Sequence, residues 1–503
     1  MGLRQDLYKT LAEDLGDFVE ESLVPDEEWE REEQDAWHRC STFLKNHCFQ
    51  DQLVAGQEVR VLKVVKGGSY GKGTTLNHTS DVDLTLFLSC FSSFQDQADL
   101  RKDIIDFIKN QVDHYTQSLA YRFSVIPYWG RRPRSLRFQV QATKNSNVIK
   151  VDVLPAFDVL GNASPDSKLP QEIFEKLINF EGSPGEFSSS FTVLHRHFVR
   201  TRPVKVKNLL RLVKHWWYLQ HQKHKHAKVA LPPKYALELL TIYAWETGTN
   251  ESKKFDLAEG FRVVMELVRD YDDICIYWTK YYNFENEAVR IFIQEKLKEE
   301  RPVILDPADP TNNLGRGKRW DVMAKEAAYT LQQACCSTVD PWPVRAARDV
   351  QVKVEVPGNW VLTLMVDPYR PIFEIKKTIK EMWPLSGQQR LSFQEPGEMR
   401  KVLSNFKTLA DYGLFARVTA SVLVTEPGEI QVFVMDSSGH SKPYAVYPDD
   451  SISYLKEKIE EAGGPPAENQ ILIFPCQKVR NKRILSKLQV QDGETILLLR
   501  KYF

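Results

Sequence analysis

The sequence has little cysteine, no net charge and no long hydrophobic run. Its seven cysteines are scattered over 503 residues without a C-x-x-C pair, which predicts neither a disulfide framework nor a zinc site. No apolar stretch approaches the roughly 18 residues that cross a bilayer, and the acidic N-terminus is unlike a signal peptide. We expect a cytoplasmic protein without a membrane partner, and a nuclear pool is compatible with that expectation.

The absence of net charge means that any surface for a polyanion must be local. Lysine and arginine together number 67, as do aspartate and glutamate. One stretch, "RHFVRTRPVKVKNLLRLVK" at residues 196–214, nevertheless carries seven cations and no acid. That asymmetry indicates either a solvated charged face or a surface for a polyanion. Such a surface suits double-stranded RNA, whose phosphates and 2′-hydroxyls are recognised by shape. The proline at position 203 is expected to end or kink a helix there.

A second cationic stretch, "HQKHKHAK", contains His221, His224 and His226. Lysines alternate with these histidines, and no cysteine or carboxylate is close in the sequence. The pattern favours a solvated basic loop over a metal-binding cluster.

The length predicts two to four domains. Helical periodicity dominates residues 5–50 and much of 170–335, and the strand patterns fall at 57–65, 82–89, 135–142 and 147–154. The last two strands are joined by "TKNSN", as in a hairpin. A change of character after "CCSTVDPWPVRAARD" marks a domain boundary near residue 345.

Residues 67–83, "GGSYGKGTTLNHTSDVD", join a glycine-rich turn to two aspartates. This is not a Walker A loop, because only three residues separate Gly67 from Gly71 and Lys72 is followed by glycine. Glycines still let backbone N–H groups approach a phosphate, and Ser69 adds a hydroxyl donor. The turn is therefore a candidate phosphate-binding element.

Three aspartates are the candidate catalytic and metal-binding residues. Asp81 and Asp83 are two apart in the apolar strand "DVDLTLFL" and so share a face, and Asp152 alternates with valines in "VIKVDVLPAFD". Carboxylates grouped in this way repel unless cations lie between them, and Mg²⁺ prefers such oxygen ligands. The pattern predicts two Mg²⁺ ions that assist a displacement at phosphorus.

This pattern resembles the polymerase-beta-like nucleotidyltransferases. The segments "LKVVKGGSYGKGTTL", "VDVLPAFDVLG", "RPVKVKNLLRLVKHWW" and "PPKYALELLTIYAWE" narrow the resemblance to the 2′-5′-oligoadenylate synthetases across residues 1–345. The fold it implies is α+β, with a nucleotidyltransferase core and a helical second lobe. Some members of the synthetase-like subgroup lack the catalytic aspartates, whereas this chain keeps all three.

The C-terminal part contains an internal repeat. "PIFEIKKTIKEM", "GQQRLSFQEPG" and "KTLADYGLF" are echoed by "SISYLKEKIEEA", "ENQILIFPCQK" and "SKLQVQDGETILLLR", and the second copy closely resembles ubiquitin. Two β-grasp ubiquitin-like domains are expected, at 350–427 and 428–503. The chain ends "LLLRKYF" without Gly-Gly, so binding modules are expected rather than conjugated tags.

The ubiquitin resemblance also ranks the two copies as binding modules. The recognition face of ubiquitin has apolar counterparts in Ile473 and Leu499, but polar Ser392 stands at the matching position of the first copy. The second copy is therefore the better candidate for ubiquitin receptors or signalling proteins. A purely structural role for both copies remains the alternative.

The synthetase resemblance also implies site residues. Arg211 and Lys214, three apart on an expected helix, suit a triphosphate. Lys234 stands where the synthetases commonly carry glutamine, and Tyr235 is either a support for a base or a core residue. The implied ATP-binding residues are Gly68, Ser69, Arg211, Lys214, Lys234 and Tyr235. The implied RNA-binding residues are Lys45, Lys66, Arg196, Arg200 and Lys205.

The resemblance implies an RNA-activated enzyme that polymerises ATP into 2′-5′-linked oligoadenylates and releases pyrophosphate, in interferon-linked antiviral innate immunity. One alternative is an RNA-binding scaffold that acts through its ubiquitin-like tail with weak catalysis. Another keeps the chemistry but makes a cyclic dinucleotide, as related DNA sensors do, although their His/Cys zinc insertion is absent. A monomer is expected, because "ACCST" replaces the Cys-Phe-Lys motif linked to oligomerisation in some synthetases.

Overall fold

In the computed structural model, the chain forms two compact units, residues 1–346 and 347–503. The structure describes residues 6–77, 81–115, 121–126, 133–142, 148–167, 169–180, 182–225, 229–282, 284–356, 360–384, 386–395, 397–415 and 417–501. Among the helices in these ranges, none is both long and apolar enough to cross a membrane.

A five-stranded sheet organises the first half of the first unit. It follows a short hairpin of β1 Leu53–Val54 and β2 Gln57–Glu58 and consists of β3 Val61–Lys66, β4 Asp81–Leu88, β5 Tyr121–Ile126, β6 Leu136–Ala142 and β7 Val148–Ala156. The strand order is β3-β4-β7-β6-β5, and β4 and β7 are parallel while the other pairs are antiparallel. The β6–β7 pair agrees with the expected hairpin, whose "TKNSN" turn lies outside the described residues.

Alternation along the central strands decides which side chains enter the core. Val82, Leu84, Val151 and Val153 are fully buried. They pack in one cluster with apolar residues of the preceding and following helices. The residues between them, including Asp83 and Asp152, are therefore held on the opposite face of a rigid sheet.

Helices supply the rest of the first unit. They are α1 Leu15–Phe18, α2 Glu27–Asn46, α3 Gly68–Lys72, α4 Phe94–Tyr115, α5 Gln171–Ile178, α6 Thr192–Arg200, α7 Val204–His224, α8 Lys234–Thr249, α9 Leu257–Arg269, α10 Glu287–Leu297 and α11 Trp320–Thr330. The parallel pair β8 Cys275–Ile276 and β9 Val303–Ile304 lies among the later helices. The amphipathic α9 is buried along one face and capped by Asp256, which accepts from the amides of Ala258 and Glu259.

Pro203 separates α6 from α7. Pro203 is the residue before the first turn of α7, where its missing N–H costs no hydrogen bond. Helix α6 ends at Arg200 and α7 begins at Val204, so the helical structure is interrupted between them. The break that the sequence predicts is thus present, and it lets the cations of the two helices diverge.

The second unit contains two sheets of related order. Its strands are β10 Val350–Val356, β11 Trp360–Val366, β12 Gln388–Phe393, β13 Lys401–Val402, β14 Val418–Thr425, β15 Ile430–Met435, β16 Ser441–Val446, β17 Gln470–Ile473 and β18 Thr495–Arg500, with α12 Ile372–Met382 and α13 Ile452–Glu461. The first module, residues 350–425, has the order β11-β10-β14-β12-β13. The second module, residues 430–501, has the order β16-β15-β18-β17. Each module has its own apolar core.

The two modules are joined by a buried arginine. Arg400 of the first module is only 8% exposed, and its Nε donates to the carbonyl oxygen of Ser441 at 2.9 Å in the second. Its Nη1 donates to the hydroxyl oxygens of Ser392 at 3.3 Å and Ser421 at 3.1 Å in its own module. Arg400, Ser392 and Ser421 of the first module thus lie at the contact with the second.

Two further polar contacts fix the same arrangement. Arg390 Nη1 lies 2.5 and 2.6 Å from the two carboxylate oxygens of Asp492, and the amide of Ser441 donates to Gln394 Oε1 at 2.9 Å. Phe433, which is 1% exposed, lies on the strand next to Ser441 and outside the core cluster of its own module. These polar contacts, together with those of Arg400, therefore hold the two modules together.

Replacing Arg400 with alanine is expected to loosen this contact, because buried acceptors on both modules lose a charged donor. We expect Arg400→Ala to lower the free energy of unfolding of the second unit by about 2–3 kcal/mol and to speed hydrogen exchange at the Ser441 amide. Lys401→Ala, at an exposed neighbour, is the control and should change neither quantity. Unchanged exchange at Ser441 in Arg400→Ala would show that Arg400 does not hold the modules together.

Candidate nucleotide site

Asp83 and Asp152 lie side by side on neighbouring strands. β4 and β7 run parallel, and Asp83 is the register partner of Asp152. Asp81 lies two residues earlier on β4, opposite Lys150, but its side chain is outside the described part of the structure. Two carboxylates at one point of a buried sheet form an oxygen-ligand pair that suits a divalent cation.

Arg137 contacts this pair, although the sequence pattern gave no reason to select it. It is the register partner of Asp152 across β6–β7, and its Nε lies 3.1 Å from the Asp152 carboxylate. A guanidinium holds the Asp152 carboxylate and balances part of the local negative charge. The signal that could have identified it is strand alternation, which places Arg137 on the face of the sheet that carries Asp152.

The glycine-rich stretch packs directly on Asp83, and it forms a helix rather than the open turn expected from the sequence. The amide of Gly67 donates to the carbonyl oxygen of Asp83 at 2.8 Å, and α3 follows at once. Gly68 has a φ of +52°, and a Cβ built on it would lie 1.7 Å from Asp83 Oδ2. Glycine is therefore required at position 68, because any side chain would displace the carboxylate.

Lys214 joins α7 to the same stretch. Its ammonium donates to Ser69 Oγ at 2.8 Å, to the Thr74 carbonyl oxygen at 2.7 Å and to Thr74 Oγ1 at 2.9 Å. Burial lowers the pKa of Lys214 to about 8, against the opposing effect of Glu238 on α8. Two of the implied ATP-binding residues, Ser69 and Lys214, are thus in direct contact.

Glu238 is a buried anion that two lysines share. Its carboxylate lies 2.7 Å from the ammonium of Lys72 and 3.3 Å from that of Lys214, and its side chain is 4% exposed. Burial alone would raise the pKa of Glu238, but the two lysines lower it to about 2. This Lys72–Glu238–Lys214 cluster connects α3, α7 and α8, and the sequence reasoning missed it.

Arg211, like Lys214, donates hydrogen bonds to the stretch that follows α3. Its Nε donates to the Thr75 carbonyl oxygen and its Nη2 to the Gly73 carbonyl oxygen, both at 3.0 Å. Arg211 and Lys214 therefore both hold residues 69–75 through oxygen acceptors. These are the kind of contact that phosphate oxygens can replace.

A cavity of about 150 Å³ opens beside Gly67 and Gly68. Its wall includes Lys72, Thr192, His195, Tyr235 and Asp306, and His195 Nε2 lies 2.8 Å from Asp306 Oδ1. The cavity places a small polar space next to the glycine pair and Asp83.

Of the two residues from "PPKYALELL", only Tyr235 lines this cavity. Its ring lies under the ammonium of Lys72 at 3.9 Å. Burial raises the pKa of Tyr235 well above its usual value. This favours the interpretation of Tyr235 as a core residue over its interpretation as a support for a nucleotide base. Lys234 donates instead to Tyr218 Oη at 2.7 Å and lies over that ring.

The implied RNA-binding residues form one cationic patch with two outlying lysines. Lys66 lies 4.4 Å from the Trp37 ring centre, and burial together with Arg196 and Arg200 lowers its pKa. These three cations therefore form one positive patch. Lys205 is exposed at the start of α7, and Lys45 is exposed in the last turn of α2.

Two other cations of residues 196–214, Arg202 and Lys207, differ from the expectation that every cation there adds to one polyanion surface. Arg202 has its own acid partner, since its Nη2 lies 2.7 Å from Glu246, so it does not add to the free charge. Lys207, in contrast, lies close to other cations. Burial lowers the pKa of Lys207, as do Arg200 and Arg211, which places it between the basic patch and the nucleotide site.

The described part of the histidine segment, residues 221–225, is largely exposed as expected, but it ends helix α7 instead of forming a loop. His221 stacks on Trp217, and His224 lies 3.1 Å from Glu326, whose carboxylate also binds Lys223. Glu326 explains the difference, because a partner 102 residues away gives the turn a tertiary anchor. His226 lies outside the described residues.

Comparison with known proteins places this site in a family. The nucleotidyltransferase domain model matches residues 53–133, and the model of the C-terminal domain 2 of 2′-5′-oligoadenylate synthetase 1 matches residues 167–351. 2′-5′-Oligoadenylate synthase-like protein 2 of Mus musculus is 55% identical over 501 residues, which cover 98% of each chain. The chain belongs to the 2′-5′-oligoadenylate synthase family.

Two further relatives define the extent of the likeness within the 2′-5′-oligoadenylate synthase family. 2′-5′-Oligoadenylate synthase-like protein 1 of Rattus norvegicus is 42% identical over 100% of this chain and 98% of its own. 2′-5′-Oligoadenylate synthase 1A of Rattus norvegicus is 43% identical over 68% of this chain and 97% of its own. The ubiquitin-family model matches residues 430–502, the second module.

Removing the shared anion should destabilise the first unit. We expect Glu238→Gln to lower its free energy of unfolding by about 3–5 kcal/mol, because two buried ammonium groups lose their partner. The folded-state pKa of about 2 lies below the usual value of 4.5, so the stabilisation is complete above about pH 4.5 and is lost as the pH falls towards 2. Urea unfolding with hydrogen exchange on α7 and α8 measures this effect.

The matched control for Glu238→Gln is Glu13→Gln, at an exposed site. It should leave the unfolding midpoint unchanged. The difference between wild type and Glu238→Gln should also shrink between pH 4.5 and pH 2, whereas a difference that stays constant with pH would show that Glu238 is not ionised in the folded protein.

Proposed function

We propose that the protein is a double-stranded-RNA-activated nucleotidyltransferase that polymerises ATP into 2′-5′-linked oligoadenylates, releases pyrophosphate and acts in antiviral innate immunity. The observation that carries the proposal is the pairing of Asp83 with Asp152 beside Gly68 and Ser69. The family supports a nucleotidyltransferase, and the paired carboxylates are what such a reaction requires. The proposal places the work in the cytoplasm.

The carboxylates fit magnesium. Asp83 and Asp152, with Asp81 two residues before on the same strand, would hold two Mg²⁺ ions, because hard oxygen ligands at one point match the preference of this ion. Bound there, the ions would lower the pKa of the attacking 2′-hydroxyl and stabilise the charge on the leaving pyrophosphate. The family resemblance makes Asp152, whose carboxylate accepts from Arg137, the proposed acceptor of the hydroxyl proton.

Ser69, Lys214 and Arg211 would hold the triphosphate of the donor ATP. Lys214 and Arg211 bind neutral oxygens of residues 69–75, and phosphate oxygens would be stronger acceptors for both cations. Lys214 keeps Glu238 as a partner during that exchange, so its charge remains compensated. Tyr235 and Lys72 would bound the adjoining cavity, and Lys234 would act outside it.

RNA would bind the cationic surface on α6 and at the end of β3. Lys66, Arg196 and Arg200 form its centre, with Lys205 and Lys45 as outlying contacts. Lys207 lies between this surface and Arg211 on α7. Docking of RNA would therefore shift α7 and its grip on residues 69–75, favouring the arrangement that binds metal and nucleotide.

The test is to incubate the full chain with ATP and Mg²⁺, with and without duplex RNA, and to assay the products with a nuclease that cuts only 3′-5′ bonds. We expect resistant oligomers only with RNA. Asp81→Ala should lower the rate at least about a thousandfold, because one of the proposed metal ligands is lost. Asp17→Ala, at an exposed acid, is the control and should keep full activity.

The scaffold alternative predicts a different outcome from the same preparations. No product from folded, RNA-bound wild-type protein would overturn the synthetase proposal. In cells, an enzyme loses antiviral function with Asp81→Ala, whereas a scaffold loses it on deletion of residues 350–503. A cyclic product without a 2′-5′ oligomer ladder would identify the third possibility.

We propose that the first module is a ubiquitin-like repeat, as the second is. We also propose that the second module is the one that binds partners. Both sheets place their last strand between the first and third, around one helix. Ser392 of the first module is fully buried beneath Arg400, so the face that ubiquitin uses is unavailable there. In the second module Leu497 and Leu499 are 39% and 41% exposed next to Ile473, as a receptor for ubiquitin would require.

This partner proposal is tested with a purified ubiquitin-binding domain titrated into the full chain. We expect Leu499→Asp to weaken binding at least about tenfold, because a charge replaces an apolar contact at the centre of the patch. Phe406→Asp, at a side chain that is 90% exposed on the first module, is the matched control. Equal affinity for wild type and Leu499→Asp would remove the second module as the receptor-binding one.

A further inference from the structure

A second cationic segment lies in the second module. Between Glu468 and Asp492 the sequence contains no acidic residue but five cations, in "QKVRNKRILSK". A chain with equal numbers of acids and bases does not produce such a run by overall bias. This segment is separate from the basic stretch at residues 196–214 and lies in the other compact unit.

The backbone of the segment is held in place. Lys478 bridges back to Ile473 at the end of β17, and the chain then passes the first turn of α13. There the amide of Ser453 donates to the carbonyl oxygen of Asn481 at 3.0 Å, and that of Ile452 to the carbonyl oxygen of Arg483 at 2.9 Å. We call the exposed cations Lys478, Arg480, Lys482 and Arg483 the basic loop.

The basic loop carries free charge. Over the part of the chain that the structure describes, none of its four side chains forms an ion pair, whereas Lys401 and Lys458 nearby pair with Glu398 and Glu429. Lys487 is left out of the basic loop because its neighbour Ser486 donates to Asp449, which brings an acid close. Four unpaired cations on a fixed backbone form a site for negative charge.

Buried Lys456 shows that the positive region extends beyond the loop. It is 7% exposed, and its ammonium donates to the carbonyl oxygen of Gln470 at 2.8 Å. Burial lowers the pKa of Lys456, and the positive charges of Lys501 and Lys478 lower it further. Lys501, which follows β18, and Lys478 of the basic loop therefore both lie close enough to Lys456 to act on its charge.

We propose that the basic loop binds the phosphate backbone of double-stranded RNA. Arg480 and Arg483 offer the planar, paired donors that suit phosphate. Of the apolar residues of the segment, Val479 and Leu485 are buried in the module core and Ile484 is partly buried, so the loop offers no fully exposed apolar anchor for a peptide. The choice of RNA among polyanions rests on the proposed function, because the first unit is proposed to bind the same duplex.

Two RNA-binding surfaces in one chain have a measurable consequence. Each phosphate neutralised releases counterions, so the dependence of affinity on salt counts the contacts. The basic loop would add about two to four contacts to those of α6 and β3. Binding through both units would also raise the apparent affinity for duplexes long enough to reach both.

The experiment measures binding of the full chain to an RNA duplex of about 40 base pairs, long enough for two modules of about 16 base pairs each. Salt is varied between about 50 and 200 mM. The loop variant carries Lys478→Gln, Arg480→Gln, Lys482→Gln and Arg483→Gln. We expect it to reduce the salt slope by about two to four and the affinity at least about tenfold.

The control variant removes the same charge from exposed lysines elsewhere in the second unit, with Lys353→Gln, Lys377→Gln, Lys380→Gln and Lys442→Gln. It should keep the wild-type slope, and the same slope for the loop and control variants overturns the proposal. A third variant, Arg196→Glu with Arg200→Glu, separates this proposal from the proposed function. If it binds RNA normally, the α6 surface fails while the basic loop is still judged by its own slope.

Other polyanions are outcomes of the same test. Loss of binding to polyglutamate, or to phosphatidylserine vesicles, by the loop variant while RNA binding is unchanged would overturn the proposal in favour of a protein or lipid partner. The four side chains are exposed, so the loop variant should fold, and its thermal unfolding is compared with wild type. If the loop variant unfolds, the double variant Lys482→Gln with Arg483→Gln takes its place, with an expected slope reduction of about one to two.

Discussion

The first unit depends on one buried carboxylate. Glu238 compensates Lys72 on the helix that follows the glycine pair and Lys214 on the helix that carries Arg211. Without it, two buried ammonium groups would lose their shared acidic partner, and the contact that joins α3 and α7 to α8 would be lost. The position of Ser69, the direction of Lys214 and the wall of the cavity all follow from this single negative charge.

Much of the site could be predicted because its signals are local. Alternation of apolar residues around Asp83 and Asp152 identified the strands, and Pro203 identified the break between α6 and α7. Glu238 and Arg137 were missed because each acts through a contact that is distant in sequence; the Lys72–Glu238 pair spans 166 residues. A composition argument likewise counts Arg202 as free charge, although Glu246 neutralises it.

In the second unit, sequence and structure answer different questions. The sequence shows that polar Ser392 replaces an apolar residue, which reads as a loss of binding capacity. The structure shows what that change permits, because Ser392 accepts from Arg400, which reaches across to Ser441. Ser392 therefore takes part in the joint between the two modules, while Leu497 and Leu499 of the second module stay partly exposed.

The close approach of Gly68 to Asp83 has a consequence for reading related genes. A single codon change that puts any side chain at position 68 would leave all three aspartates in the alignment and still push one of them aside. The position of the Asp83 carboxylate therefore depends on a glycine that is not itself one of the aspartates. A survey that classifies homologues as active by their aspartates alone would count such a chain as an enzyme.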